Sequence, residues 1–302
     1  MTGKRRRAIA TFLLTAAAMV CALGASALAR LPAPGAGQQP TFSTRVDAVR
    51  VDVLVTANGT PVRGLRASDF EVRDNGVLQQ VNLVTGDQLP VDVVLAFDTS
   101  SSVAGTRLGQ LRSASNLLLD ELKKDDRVAL VTFSEVVRLP SMWTADVGAV
   151  RSEIAAVRAD GGTALMDGAY LALTVGEANV GRGLLILFSD GFDTSSWLSA
   201  DAVLQAARRS ALVVYAVSAI DSGKSPPFLR DLCETTGGRL IEEESTWNLS
   251  STFLDVLEEF RGRYLVSYTP RGVPRDGWHR LDVRVKGRKA AVNARSGYYG
   301  GS

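Results

Sequence analysis

Residues 91–102 read VDVVLAFDTSSS, and this stretch decides the fold. Its first seven residues form an almost unbroken apolar run, which is typical of a strand buried on both faces of a parallel sheet. Its last five residues are polar, and the chain then continues with leucines at helical spacing from Leu108 to Leu122. Together these patterns predict a buried strand, a polar turn and an amphipathic helix.

The same alternation of strand and helix recurs as far as residue 262. Further strands are predicted at 127–133, 183–188, 212–217 and 240–241, with a short partner at 136–139, and further helices at 147–157, 165–175, 200–209, 229–235 and 249–260. Continuous apolar strands that alternate with helices favour an α/β fold. We therefore expect a doubly wound, mostly parallel sheet with helices on both faces.

Three polar motifs lie where a predicted strand or loop leads into a helix. Asp98, Ser100 and Ser102 follow the first strand, Thr163 belongs to a DGGTAL loop, and Asp190 belongs to an FSDG motif after the third strand. Ligands of doubly wound sheets bind at the carboxyl ends of the strands, where the strand order reverses. We therefore expect these five side chains to converge at that edge.

The five side chains offer oxygen atoms only, which suits Mg²⁺ or a similar hard cation such as Mn²⁺ or Ca²⁺. Each motif alone has a plainer interpretation, since DTSSS is typical of a polar turn with a helix N-cap and the other two are common in loops. Their occurrence in order at three expected positions favours the metal site. Three of the five groups are neutral hydroxyls, so the ion would keep part of its charge and attract a further carboxylate.

This constellation resembles the von Willebrand factor type A domain and its metal-ion-dependent adhesion site, over residues 90–262. The resemblance implies a strand order of 3-2-1-4-5-6. It also implies that the hydroxyls of Ser100, Ser102 and Thr163 contact the metal directly. Asp98 and Asp190 would contact the metal directly or through water.

The two flanking segments change to an apolar–polar alternation of period two. Val51, Val53 and Val55 alternate with other residues in the first segment, and Tyr264, Val266 and Tyr268 do so in the second. The economical interpretation is that residues 45–89 and 263–302 pack together as one small β-sandwich into which the α/β domain is inserted. The alternative is two hairpin appendages that lie on the α/β domain.

The flanking segments also carry a narrower resemblance, to the von Willebrand A–related secreted proteins of acidobacteria and similar bacteria. The motifs concerned are VDVLV at 51–55, DFEV at 69–72, YLVSYTP at 264–270, GWHR at 277–280 and ARSGYY at 294–299. This narrower resemblance implies which family the chain belongs to, but it implies little about the ligand.

The N-terminus has the order of a secretory signal peptide. Lys4 to Arg7 are basic, residues 8–23 are apolar, and an ASALA motif at 25–29 offers cleavage sites. We expect residues 1–29 to be removed and 30–44, rich in Pro and Gly, to be a flexible linker. The protein would then be periplasmic or secreted, or membrane-anchored if the segment is uncleaved, and the mature chain is not expected to span a membrane.

Composition excludes several classes of protein. The 302 residues carry a formal net charge of +2, and the excess of basic residues lies in the N-terminal segment, so a nucleic-acid partner is not expected. One histidine and two cysteines exclude a Cys/His zinc site and a disulfide scaffold.

Four residues outside the metal motifs are assigned mainly structural roles. His279 is expected at the surface or at a strand edge, and Asp193 is expected to cap a loop. Cys233 is expected to be a small buried hydrophobe. Trp197 is expected to pack against the protein, with a place on the rim of the ligand site as the alternative.

The sequence thus predicts a non-enzymatic binding module whose divalent cation captures an Asp or Glu of a partner protein, with no small-molecule substrate. A second hypothesis is a structural envelope protein whose metal only stabilises the domain. A third, a metal-assisted hydrolase, is disfavoured because no histidine base and no separate nucleophile lie near the motifs.

Overall fold

The structure, a computed structural model, describes residues 48–85, 89–178, 182–190, 192–219 and 225–301. The predicted signal peptide at 1–29 and linker at 30–44 lie outside the described residues. Among the residues described, no helix is both long and apolar enough to cross a bilayer.

The helices and strands follow the predicted alternation. The helices are α1 (Thr106–Asp120), α2 (Val147–Ala156), α3 (Leu165–Glu177), α4 (Ala200–Arg209), α5 (Pro227–Thr236) and α6 (Leu249–Arg261). The strands are β1 (Val49–Ala57), β2 (Thr60–Pro61), β3 (Phe70–Asp74), β4 (Val77–Gln79), β5 (Val81–Thr85), β6 (Val91–Asp98), β7 (Arg127–Phe133), β8 (Val137–Thr144), β9 (Arg182–Ser189), β10 (Val213–Ser218), β11 (Arg239–Glu242), β12 (Tyr264–Tyr268), β13 (Gly277–Val285), β14 (Ala291–Asn293) and β15 (Gly297–Gly300).

The central sheet has six strands in the order β11-β10-β9-β6-β7-β8. All neighbours pair in parallel except β7 and β8, which are antiparallel. Counted from β6, this order is 3-2-1-4-5-6, so the predicted doubly wound sheet is confirmed. The strand order reverses between β6 and β9, which places the carboxyl ends of these two strands at the crevice where such folds bind ligands.

Two hydrophobic clusters cover the two faces of this sheet. One joins the sheet to α1, α2 and α6, and the other joins it to α3, α4 and α5. Alternate residues of β6 divide between them, since Val93 and Leu95 lie in the first cluster and Val94 and Ala96 in the second. Burial on both faces is the physical reason for the unbroken apolar run in this strand.

The flanking segments form two antiparallel sheets with strands from both ends of the chain. One has the order β14-β1-β12-β5, with β2 on β1, and the other has the order β15-β13-β3-β4. They contribute to one hydrophobic cluster that includes Val53, Phe70 and Val266. At the β3–β4 turn, Asn75 and Gly76 have positive φ angles of 48° and 84°, as the Asn-Gly sequence predicts. The division into separate domains at 90 and 262 stays a prediction.

His279 is buried, so the expectation of a surface or strand-edge position is wrong. Its Nδ1 lies 2.7 Å from Asp74 Oδ1, and the hydroxyls of Tyr268 and Tyr298 donate to Asp74 Oδ2 at 2.9 and 2.8 Å. Burial of the phenol, together with hydrogen bonding to Asp74, raises the pKa of both tyrosines. The imidazole shares the inner face of β13 with Leu281, two residues further on, because side chains alternate along a strand.

An ion pair joins the amino end of the central sheet to the flanking strands. The guanidinium of Arg182, at the start of β9, binds the carboxylate of Asp52 on β1. It also donates to the carbonyl of Phe260 at 3.1 Å and lies 4.7 Å from the centre of that ring. The side chains of Arg182 and Asp52 are only 3% and 10% exposed. Each buried charge is therefore stabilised by the other.

Asp52→Ala is expected to destabilise the protein by about 3–5 kcal/mol, because it leaves the buried Arg182 charge without its partner. Urea unfolding followed by circular dichroism measures this change. Asp282→Ala is the matched control, since its pair with Arg284 is exposed and its loss should change the stability far less. Equal losses in the two variants would contradict the role of the buried pair.

Cys233 on α5 is buried, as expected, and burial raises the pKa of its thiol to about 12. At pH 8 almost none of it is thiolate, the form that reacts. In a Cys21→Ser variant, which leaves Cys233 as the remaining thiol, we expect little reaction with Ellman's reagent until guanidinium unfolds the protein. Rapid labelling of the native protein would contradict this.

Candidate metal centre

All five candidate ligands lie at the carboxyl edge of the central sheet. Asp98 ends β6, Ser100 and Ser102 lie in the turn that follows, Thr163 precedes α3, and Asp190 directly follows β9. Because β6 and β9 are neighbours at the reversal of strand order, the two aspartates approach from opposite sides of the same crevice.

Four of these residues belong to one short network of hydrogen bonds. Ser100 Oγ lies 2.9 Å from Ser102 Oγ, which in turn donates to Asp190 Oδ1 at 2.7 Å. The Ser100 backbone N–H donates to Asp98 Oδ1 at 2.9 Å, and the Ser189 hydroxyl donates to Asp98 Oδ2 at 2.7 Å. The structure therefore brings Asp98, Ser100, Ser102 and Asp190 together.

Thr163 lies in a loop beside the Ser100 turn, and its own backbone bonds to Thr194 and Ser195. Its loop is tied to the Ser100 turn by two backbone hydrogen bonds, from Ser101 N to Gly161 O at 3.0 Å and from Asp160 N to Thr99 O at 2.9 Å. Thr163 is 5% exposed. Among the described residues, no hydrogen bond joins its side chain to the other four candidates.

The two carboxylates are in different electrostatic environments. Burial raises the pKa of Asp98 to about 6, against the opposing effect of the hydrogen bonds from Ser100 and Ser189. The side chain of Asp190 is also buried, but its Oδ2 accepts a hydrogen bond from Arg107 Nη1 at 2.7 Å. Among the residues that the structure describes, Asp98 thus has no cationic partner of the kind that Asp190 has in Arg107.

This arrangement fits a hard divalent cation. The donors are all oxygen atoms, and a cation next to Asp98 would offset the cost of burying that carboxylate. Within the described ranges, no group of three or more His, Cys, Asp and Glu side chains could hold a metal. The candidate centre therefore depends on hydroxyl groups as much as on carboxylates.

The structure adds two residues that the sequence did not indicate. Ser189 hydrogen-bonds Asp98, and its place directly before Asp190 at the end of a strand was the available signal. Arg107 reaches Asp190 from the first turn of α1. No pattern in the sequence pointed to that contact, because the two residues are far apart along the chain.

The other two sequence expectations near the centre have opposite outcomes. Asp193 has a structural capping role, although on a helix and not on a loop as expected, because it accepts a hydrogen bond from Leu165 N at the start of α3 at 2.8 Å. Trp197 is 96% exposed, so the expectation that it packs against the protein is wrong. Its backbone is fixed by Asp167, whose carboxylate accepts hydrogen bonds from the N–H groups of Trp197 and Leu198.

This fold and site define a class of protein: doubly wound α/β domains with an oxygen-rich centre at the switch point of the sheet. The profile of the von Willebrand factor type A domain matches residues 92–255, just over half of the chain. The chain belongs to this family. Domains of the family mediate protein–protein interactions and often bind a divalent metal at a site of this type.

Individual relatives are distant. The chain is 30% identical over 110 residues to the uncharacterized protein sll0103 of Synechocystis sp., a match that covers 34% of this chain and 26% of that protein. The chain thus spans about a quarter of the length of this curated relative.

Two solved structures share the fold at low identity. One is a von Willebrand factor type A protein from Catenulispora acidiphila, with a TM-score of 0.53 at 16% identity over 85% of this chain and 75% of that one. The other is proximal thread matrix protein 1 from the mussel byssus with a zinc-occupied MIDAS motif, with a TM-score of 0.53 at 19% identity over 63% of this chain and 50% of that one. At these identities the likeness is one of fold alone.

Asp98→Ala and Ser100→Ala are each expected to weaken Mg²⁺ or Mn²⁺ binding on the order of 10–100-fold, because each removes an oxygen donor from the network. Isothermal titration calorimetry measures the affinities. Ser101→Ala is the matched control for Ser100→Ala, since it also removes a serine hydroxyl, at an exposed position of the same turn. Equal affinity in Asp98→Ala and wild type would remove the metal-site interpretation.

Proposed function

We propose that this protein is an exported, divalent-metal-dependent protein-binding module that captures an acidic side chain of a partner protein. The observation that carries the proposal is the hydrogen-bonded network of Asp98, Ser100, Ser102 and Asp190 at the switch point of the sheet. Ser102 is exposed and Asp98 is buried, so the network extends from the protein interior to the solvent.

Mg²⁺ is the proposed ion, with Mn²⁺ or Ca²⁺ as alternatives, because the donors are hard oxygen atoms. Asp98, Ser100, Ser102, Thr163 and Asp190 are the residues proposed to hold it. The bound ion would supply a positive charge that only two carboxylates offset. Arg107 already balances one of these carboxylates, which favours the attraction of a further carboxylate from a partner.

We further propose that the module is not an enzyme. The chain has a single histidine, His279, and its imidazole is buried in the flanking strands against Asp74 and Tyr298. It therefore does not serve as a general base at the sheet edge where Asp98 and Asp190 lie. The proposal of export rests on the sequence of residues 1–29.

Capture of a partner from an extract of the cell envelope is expected to require both the metal and the carboxylates of the partner. Immobilised protein in Mg²⁺ should retain a partner that EDTA releases, and Ser100→Ala should lose it while Ser101→Ala keeps it. Capping the carboxylates of the extract with carbodiimide and ethanolamine should also abolish capture, because the metal would have no anion to bind.

The same experiment separates the rival functions. Capture that is equal for wild type and Ser100→Ala, with metal binding lost in the variant, would favour a metal that only stabilises the domain. Capture that survives carboxylate capping would contradict recognition of an acidic residue. Mass spectrometry of the mature N-terminus tests export. A membrane-bound protein that keeps residues 1–29 would contradict cleavage of the signal peptide.

A further inference from the structure

Arg107 places a fixed positive charge inside the candidate metal centre. Its Nη1 donates to Asp190 Oδ2 at 2.7 Å and to the carbonyl oxygen of Ser102 at 3.3 Å. Asp190 and Ser102 are both candidate ligands, and they come from different loops on the two sides of the switch point. One guanidinium therefore ties the two loops together without any bound ion.

The position of Arg107 in α1 is unfavourable for the helix itself. It lies in the first turn, where the backbone N–H groups and the helix dipole favour negative charge. That turn contains no acidic residue, and Gly105 at the N-cap provides no side-chain cap. The contact with Asp190, whose side chain is fully buried, offsets this cost.

The guanidinium also changes the charge that a metal ion would meet. Both oxygens of Asp190 are engaged, Oδ1 by the hydroxyl of Ser102 and Oδ2 by Arg107. Among the described residues the two carboxylates of the centre carry negative charge, and the guanidinium of Arg107 opposes the charge of Asp190. A divalent ion would therefore be attracted mainly by Asp98, and it would be repelled by the guanidinium.

We propose that Arg107 acts as a built-in counter-cation that competes with the divalent ion for Asp190 and so determines how tightly the centre binds metal. This inference rests on the proposed metal-dependent function. In the metal-free protein the pair holds the centre assembled. In the loaded protein the pair and the ion oppose each other, which keeps the metal affinity below the value that the five ligands alone would give.

Removing the positive charge of Arg107 should therefore tighten metal binding. The same change should lower the stability of the metal-free protein. Titration calorimetry with Mg²⁺ and Mn²⁺ on the full chain is expected to show Arg107→Gln and Arg107→Ala binding on the order of tenfold more tightly than wild type. Arg107→Lys keeps the charge and should stay closer to wild type than to Arg107→Gln.

Arg151→Gln is the control for loss of an arginine charge. Arg151 also lies on a helix and pairs with an aspartate, Asp120, but that pair is exposed and involves none of the candidate ligands. Its metal affinity should equal that of wild type. Thermal unfolding in EDTA provides an independent readout, in which Arg107→Gln should melt below wild type because the buried Asp190 loses its partner.

The outcomes separate this inference from the function on which it rests. No metal binding by wild type would overturn both. Binding by wild type with equal or weaker affinity in Arg107→Gln and Arg107→Ala would overturn the inference alone, since a guanidinium that merely ties two loops would lower the melting temperature without raising the affinity. Tighter binding by both variants, with Arg107→Lys near wild type, would support it.

Discussion

Strand β6 is buried along its whole length, and its eight residues include a carboxylate close to each end. Asp92 near the amino end is paired with Arg127 at 2.6 and 2.9 Å, which is the ordinary solution for a buried charge. Asp98 at the carboxyl end accepts hydrogen bonds from Ser100 and Ser189, and within the part of the chain that the structure describes it forms no ion pair. The architecture therefore holds a carboxylate in an environment that raises its pKa, and the surrounding hydroxyls are arranged around that constraint.

The central sheet could be predicted from the sequence because its buried strands are apolar runs, and a helical pattern follows β6, β9 and β10. The edge strand β8 was predicted at 136–139 but extends over Val137–Thr144. Most of its residues are half-buried and it contains Pro140, so neither an alternating pattern nor a continuous apolar run marks its extent. The extent of this edge strand is determined by its pairing with β7 more than by its own residues.

Within the candidate site, too, some positions could be predicted from the sequence and others could not. The motif positions predicted the locations of Asp98, Ser100, Ser102 and Asp190, because strand ends fix the position of the residues that follow them, and that of Thr163, because the start of α3 fixes the loop before it. Arg107 could not be predicted, since a charged residue in the first turn of an exposed helix normally points to water and only the folded sheet brings Asp190 to it. Trp197 was misjudged for a related reason, because Asp167 anchors the backbone of its loop and the indole is not needed for packing.

The pairing of β5 with β12 has a mechanical consequence. Thr85 lies opposite Tyr264 in that ladder, so the chain leaves and re-enters the flanking sheets at neighbouring points, with the whole central sheet between them. Tension applied through β1 and β15 would be carried by the β1–β12, β13–β15 and β13–β3 ladders. The central sheet meets this path at its amino end, where Asp52 on β1 binds Arg182 at the start of β9, so a pull through β1 would reach the sheet at the end opposite the crevice at Asp98 and Asp190.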